Sequence, residues 1–277
     1  MYEPYWQLER KPFENCSDPD FYYPGESHQA ALLKLRYAVE SRRGGALLAG
    51  ASGLGKTLLV HMLQAILGET FDPFVHLIFP QMSAEQLLAY LAAELIPPGP
   101  QTPRPDLNAS LPESIHLIQR FLKSNTEQGR HAVVVFDEAH LIEDRRVLET
   151  VRLLTNFETG GHPGLTILLA AQPGILPVLD RMPQLEERLG VKCLLRPFTE
   201  QETAQYVGHR LHVAGAAQSM FEPAALKTLH QLTHGIPRQI NRLCDLALLI
   251  GYAEERHVLT ADQIEAVCEE LVAVVPE

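Results

Sequence analysis

The chain has 277 residues, 46% of them hydrophobic and 21% charged, which is enough for one large or two modest domains around a buried core. Its 23 basic and 34 acidic residues give a formal net charge of −11, and this excludes a general polyanion binder. Contact with DNA or a membrane surface would need a local basic patch working against the field of the whole chain.

The N-terminal MYEPYWQLERKPFENC mixes acids and bases before any apolar run, so it does not read as a signal peptide. No apolar stretch approaches the roughly 20 residues of a membrane span, so direct membrane insertion is not expected. Cys16, Cys193, Cys244 and Cys268 form no CxxC pair and read as reduced, mostly buried thiols. The expected location is therefore cytoplasmic. The twelve histidines show no metal-ligand spacing, and most are expected at the surface or beside the residues that do the chemistry.

Taken in chain order, apolar spacing predicts a helix over Ser27–Glu40, a strand over Ala46–Ala49, a helix over Lys56–Leu67 and a strand over Phe74–Phe79. A helix over Ala84–Leu95 follows, then a proline-rich loop from Pro97 to Pro112. A helix over Glu113–Asn125, the strand Ala132–Phe136, a helix over Arg145–Asn156 and the strands Leu165–Ala171 and Val191–Leu195 complete the first part. Continuous apolar strands alternating with helices indicate a parallel sheet covered on both faces. After Pro197 only helices are expected, near 200–214, 223–232, 237–252 and 261–271. The sequence thus divides into an α/β domain over 1–197 and a helical domain over 198–277.

The segment Gly50-Ala51-Ser52-Gly53-Leu54-Gly55-Lys56-Thr57, running into Leu58, fits G-x-x-x-x-G-K-[ST] and lies between a buried strand and a helix. Glycines let consecutive N–H groups turn inward around phosphate, and the helix N-terminus adds positive partial charge. Lys56 can reach the β- and γ-phosphates of ATP, and Thr57 can hold Mg2+. In AVVVFDEAH, Asp137 is the second expected Mg2+ ligand, and Glu138 is the expected base for the attacking water. Gln172, at the end of LTILLAA, is placed to touch the γ-phosphate or that water. Charge on the transferring group also calls for arginine. Arg188, just before the fifth strand, would project towards a neighbouring subunit, with Arg181 as second choice, while Arg238 would fold back from the helical domain.

With these motifs in hand the chain resembles AAA+ ATPases of the ExeA-like group, the secretion-pathway "protein A" ATPases, which are similar to transposition helper ATPases of the TniB and TnsC kind. The likeness rests on KPFENCSDPDFYYPGESHQAALLKLRYAVE, GASGLGKTLL, VVVFDEAH and ILLAAQPG, then on LEERLGVKCLLRPFTEQETAQYVGHRL and GIPRQINRLCDLALLIGYAEERHVLTADQI. The resemblance implies a P-loop NTPase sheet of the ASCE type with a helical lid, nucleotide-dependent homo-oligomers and Arg188 acting in trans. It also implies that Pro12, Phe13 and Tyr22–Tyr23, within a segment 1–43, lie on the adenine side, although these aromatics read equally well as core. Secretion members of the group typically continue into a membrane span and a peptidoglycan-binding region, so an envelope role for these residues would run through a separate protein partner. "DEAH" is also a helicase label, but the remaining helicase motifs are not evident.

The alternative reading is a DNA-associated helper ATPase. Residues 198–277 hold five bases against eleven acids, which speaks against a basic DNA-binding module there. A small basic set (Arg10, Lys11, Lys34, Arg36, Arg42 and Arg43) would be multiplied in a ring, so DNA contact is expected only through the assembled ring.

Overall fold

A computed structural model describes residues 1–98 and 104–273, and their contacts divide the chain into two compact units. One consists of Gln29–Ala51 and Leu59–Leu195; the other of Met1–His28, Ser52–Leu58 and the residues from Arg196 onward.

The first unit is built on strands β1 (Gly45–Ala49), β2 (Phe74–Leu77), β3 (Ala132–Phe136), β6 (Leu165–Ala171) and β7 (Leu189–Leu194). A two-residue-per-arm hairpin, β4 (Glu158–Thr159) and β5 (His162–Pro163), precedes β6. The five strands pair in parallel in the order β2-β3-β6-β1-β7. Every residue of β1, β3 and β6 is buried, whereas the edge strands β2 and β7 alternate between buried and more exposed positions. A strand with neighbours on both sides and helices above and below reads as an unbroken apolar run. Helices α1 (Glu26–Glu40), α2 (Lys56–Ile66), α3 (Ala84–Leu95), α4 (Leu111–Glu127), α5 (Arg145–Leu154), α6 (Leu176–Asp180) and α7 (Pro183–Arg188) belong wholly or mostly to this part of the chain. α3 starts on a reciprocal cap between Ser83 and Gln86 and buries Leu87, Leu88, Leu91, Ala92 and Leu95 against the sheet core of Leu47, Val134, Phe136 and Ile167. Each such leucine contributes about 1.5–3 kcal/mol by leaving water.

The parallel α/β expectation holds, with local differences. The predicted strand over Phe74–Phe79 stops at Leu77, because its partner β3 turns there: the Asp137 N–H takes the Leu77 carbonyl at 2.8 Å, and Ile78 and Phe79 are left exposed. β7 begins two residues earlier than expected, at Leu189, which pairs with Gly45. Within the predicted proline-rich loop, residues 99–103 lie outside the described residues; Arg104–Ser110 is irregular, and α4 opens at Leu111 with Pro112 in its first turn.

The second unit carries α8 (Glu200–Val213), α9 (Pro223–Thr233), α10 (Pro237–Ala253) and α11 (Ala261–Ala273). Residues 1–28 share their core: Trp6, Phe13 and Phe21 pack with Tyr206, Leu229, Ile240 and Leu248. Polar ties fix this packing. The Trp6 indole N–H donates to the Leu248 carbonyl at 2.9 Å, Tyr2 Oη donates to Asp245, and the Glu9 N–H donates to Ala214 O at 2.8 Å. Arg210 is 2% exposed; its guanidinium donates to the carbonyls of Pro12 and Glu14 and to Tyr206 Oη, and lies 4.5 Å over the Phe21 ring. Burying an arginine is tolerable only when its N–H groups are met in this way. Phe13 is therefore a core residue. Tyr23 donates to Gln205 Oε1 and sets its ring edge-on to Phe198, and burial pushes the Tyr22 phenol up to about 12. Cys193 and Cys244 are buried, Cys16 is exposed and Cys268 is intermediate; all four are free thiols.

Candidate nucleotide site

In the sheet unit, the chain leaves β1, β3 and β6 at the same edge of the sheet. Gly50 and Ala51 follow β1, Asp137 and Glu138 follow β3, and Gln172 follows β6, the strand between the other two. The Gly50 N–H donates to Ala171 O at 3.0 Å, tying the start of the glycine segment to the end of β6.

Asp137 is 2% exposed. Its Oδ1 accepts the Glu138 N–H at 2.9 Å, and its Oδ2 lies 3.2 Å from His76 Nε2 on β2. A buried carboxylate is costly unless donors or a cation face it, which suits a hard cation ligand. Glu138 adopts φ +50°, the left-handed region, at the head of the short 3-10 turn Ala139–Leu141. A non-glycine residue there costs of order 1–3 kcal/mol and persists only where its surroundings demand it. The Glu138 side chain remains 40% exposed, and its Oε2 lies 3.4 Å from His140 Nδ1.

In the other unit, Ser52–Leu58 forms the rest of the glycine segment and the first turn of α2. Gly53 and Gly55 take φ +81° and +86°, conformations that side-chain-bearing residues rarely adopt. The Leu54 carbonyl accepts a 2.7 Å hydrogen bond from His28 Nε2, and the Gly53 carbonyl accepts the Arg238 N–H at 3.2 Å. Burial lowers the pKa of His28, consistent with a neutral ring donating to that carbonyl. Lys56 is 5% exposed at the head of α2, with Thr57 and Leu58 following it in the same turn. A lysine buried at a helix N-terminus is chemistry that suits phosphate oxygens. Two positive-φ glycines and this helix head suit a nucleotide's phosphates. Mg2+ commonly keeps several waters and takes one or two carboxylates together with substrate phosphates, so within the sheet unit the buried Asp137 carboxylate is a donor of the right kind for it.

The arginines fall in different places. Arg188 ends α7 and precedes β7, so it stands at the sheet edge opposite the one that bears Gly50 and Asp137, and it is exposed. Arg181 is exposed, and its carbonyl accepts from Arg145 at 3.5 Å. Arg238 opens α10 beside Gly53, with its side chain exposed. Three histidines, at 28, 76 and 140, touch the site residues without having stood out in the sequence. Only His140 carried a signal, as the fourth letter of DEAH.

Residues 39–179 match the AAA domain family, just over half of the chain. The chain belongs to the AAA domain family. This AAA-domain chain is 36% identical over 275 residues to General secretion pathway protein A of Aeromonas hydrophila, a match covering 98% of it and 48% of that relative; it spans about half of the relative's length. Among solved structures, it is similar to the Aeropyrum pernix ORC2 protein in its ADPNP-ADP complexes (TM-score 0.68, 15% identity, covering 95% of this chain and 72% of that one). It is likewise similar to Cdc6p from Pyrobaculum aerophilum (TM-score 0.70, 15% identity, 93% and 74%) and to the Thermotoga maritima RuvB Holliday junction branch migration motor (TM-score 0.60, 19% identity, 88% and 69%). At these identities the likeness speaks to fold, and it agrees with the P-loop AAA+ fold expected from the sequence. Among the described residues, no helix is long and apolar enough to cross a membrane.

Proposed function

We propose that this AAA-domain chain hydrolyses ATP to ADP and phosphate with Mg2+, and that nucleotide state governs its assembly into homo-oligomers and its action on a protein partner. The observation that carries the reading is the step from Asp137 to Glu138: a buried carboxylate at the end of a central strand, followed by a left-handed glutamate whose own carboxylate stays open to solvent. In this reading Lys56 and the N–H groups of Gly50–Leu58 hold the phosphates, while Thr57 and Asp137 supply the metal's protein oxygens. Glu138 orients the attacking water and takes its proton. Bound Mg2+ neutralises developing charge on the phosphoryl oxygens. Gln172 contacts the γ-phosphate or the water, Arg238 serves its own subunit, and Arg188 serves a neighbour's site. The 36% identity to General secretion pathway protein A supports an envelope-associated pathway reached through a partner protein.

The DNA-helper reading rests on the basic set, and part of that set is already occupied: Arg10 pairs with Asp18 and Asp20, and Arg36 with Glu40. The test is steady-state ATPase rate against protein concentration, with and without duplex DNA at two salt concentrations, alongside Lys56→Ala and Glu138→Gln. The expected result is a rate per subunit that rises with concentration and is indifferent to DNA. Glu138→Gln should bind ATP and lose turnover by about 100-fold or more, the range of general-base deletions. Tight ATP binding by Lys56→Ala would remove the phosphate-loop assignment; wild-type turnover in Glu138→Gln would remove the base; a salt-sensitive rise with DNA would favour the helper reading.

A further inference from the structure

His140 Nδ1 lies 3.4 Å from Glu138 Oε2 and also 3.4 Å from the backbone nitrogen of Gln172. A single ring nitrogen has either a lone pair or a proton, so it serves one of these neighbours at a time. With Nδ1 bare, its one lone pair accepts the Gln172 N–H and Glu138 receives no donor from Nδ1. With Nδ1 protonated it donates to Glu138, and the Gln172 N–H loses its acceptor. The Gln172 contact is a long hydrogen bond and the Glu138 oxygen stands within ion-pair distance of the same nitrogen, so the ring rests on the amide with the carboxylate in reach. Its surroundings keep it there: the ring is 16% exposed, and Ala139 beside it is 1% exposed. The adjoining backbone is bent back by the left-handed Glu138, and the Ile142 N–H donates to Ala139 O at 3.2 Å.

We propose that His140 is a positioning residue that holds the Glu138 carboxylate in one of two settings, according to whether Nδ1 serves Glu138 or the Gln172 amide. The ring thereby couples the carboxylate to the end of β6. This rests on the reading of Glu138 as the base, since only then does the setting of its carboxylate govern turnover. Neutral histidine exchanges between its two tautomers, so the switch needs no change in charge.

Two readouts test it, one of them independent of hydrolysis. In turnover, His140→Ala should lower kcat about tenfold or more while nucleotide Kd stays within twofold. His140→Asn, whose amide offers an acceptor to Gln172 and a donor to Glu138, should recover kcat to within about threefold of the wild type. In amide hydrogen exchange, His140→Ala should speed exchange at Gln172, and Glu138→Ala should slow it, because removing the carboxylate leaves Nδ1 to the amide alone. The proposal is overturned if kcat of His140→Ala stays within twofold of wild type, if His140→Asn is as slow as His140→Ala, or if exchange at Gln172 moves the same way in His140→Ala and Glu138→Ala. Should Glu138→Gln hydrolyse ATP normally, the base assignment fails, and the exchange measurement still decides whether His140 links the two groups.

Discussion

The Arg238 N–H is bonded to the Gly53 carbonyl, and the two residues are so close that a Cβ on Gly53 would stand 2.9 Å from the Cβ of Arg238 and 3.1 Å from Ile236 Cγ2. The glycine segment is therefore seated against the head of α10 by a contact that leaves no room for a side chain at position 53.

Gly53→Ala combines that clash with a φ of +81°. Strain of this kind costs about 1–3 kcal/mol. The expected outcome is a lower thermal midpoint together with weaker ATP binding, measured by scanning calorimetry and nucleotide titration. An unchanged nucleotide affinity would detach the seating of Gly53 from the phosphate role.

Arg188 stands at the end of the sheet away from Gly50 and Asp137, so in the proposed function any action of it on phosphate would be at another subunit's site. Arg188→Ala alone and Glu138→Gln alone should each turn over slowly, and mixing them should restore activity, because each supplies what the other lacks. If the mixture is no faster than the sum of its parts, Arg188 is not a trans residue.

Arg210 holds the carbonyls of Pro12 and Glu14 inside the helical unit. Arg210→Met keeps much of the apolar stem but leaves those carbonyls without their donor, a loss of about 1–3 kcal/mol for each group left unmet. Urea unfolding should show a clearly lower midpoint than that of Arg256→Met, whose side chain is exposed and paired with Glu254. Equal midpoints would contradict the structural weight given to Arg210.

His131 sets a pH dependence. It is fully buried, its Nε2–H donates to Thr166 Oγ1 at 2.9 Å, and Nδ1 has no hydrogen-bond partner among the described residues. Burial, reinforced by Arg42, pushes its pKa down to about 4 from an ordinary value of 6.5. As pH falls from 6.5 towards 4, the unfolded chain takes up a proton that the folded chain refuses, so stability drops through that window and levels off below it. His131→Gln should flatten this part of the pH profile of the urea midpoint. A profile as steep as the wild type's would show that other groups carry the dependence.

The central strands were legible because β3 and β6 have neighbours on both sides, and that environment writes an apolar run into the sequence. α3 was legible to the residue because its cap, its spacing and its stop at Leu95 agree. The hairpin β4–β5 was not, since two residues per arm carry no period. Nor was the packing of residues 1–28 with α8–α10. It rests on Arg210 and on the chain from Tyr206 through Asn241 to Asn15, polar contacts between residues far apart in sequence that no local pattern announces. The glycine turn between β1 and α2 could be read from its spacing alone. His28, His76 and His140 could not, because one histidine beside a carbonyl or carboxylate looks like any other until the strands are aligned.

The ties from the first fifteen residues to α8 and α10 join groups between 196 and 243 positions apart. At about 5–20 residues per second, the ribosome needs on the order of 10–50 s to make that separation. For that interval Trp6, Phe13 and Phe21 have been synthesised but their partners have not. The sheet unit can close around its own contiguous strands in the meantime, so the helical unit is the last to form and the one whose early aromatic residues most need shielding during synthesis.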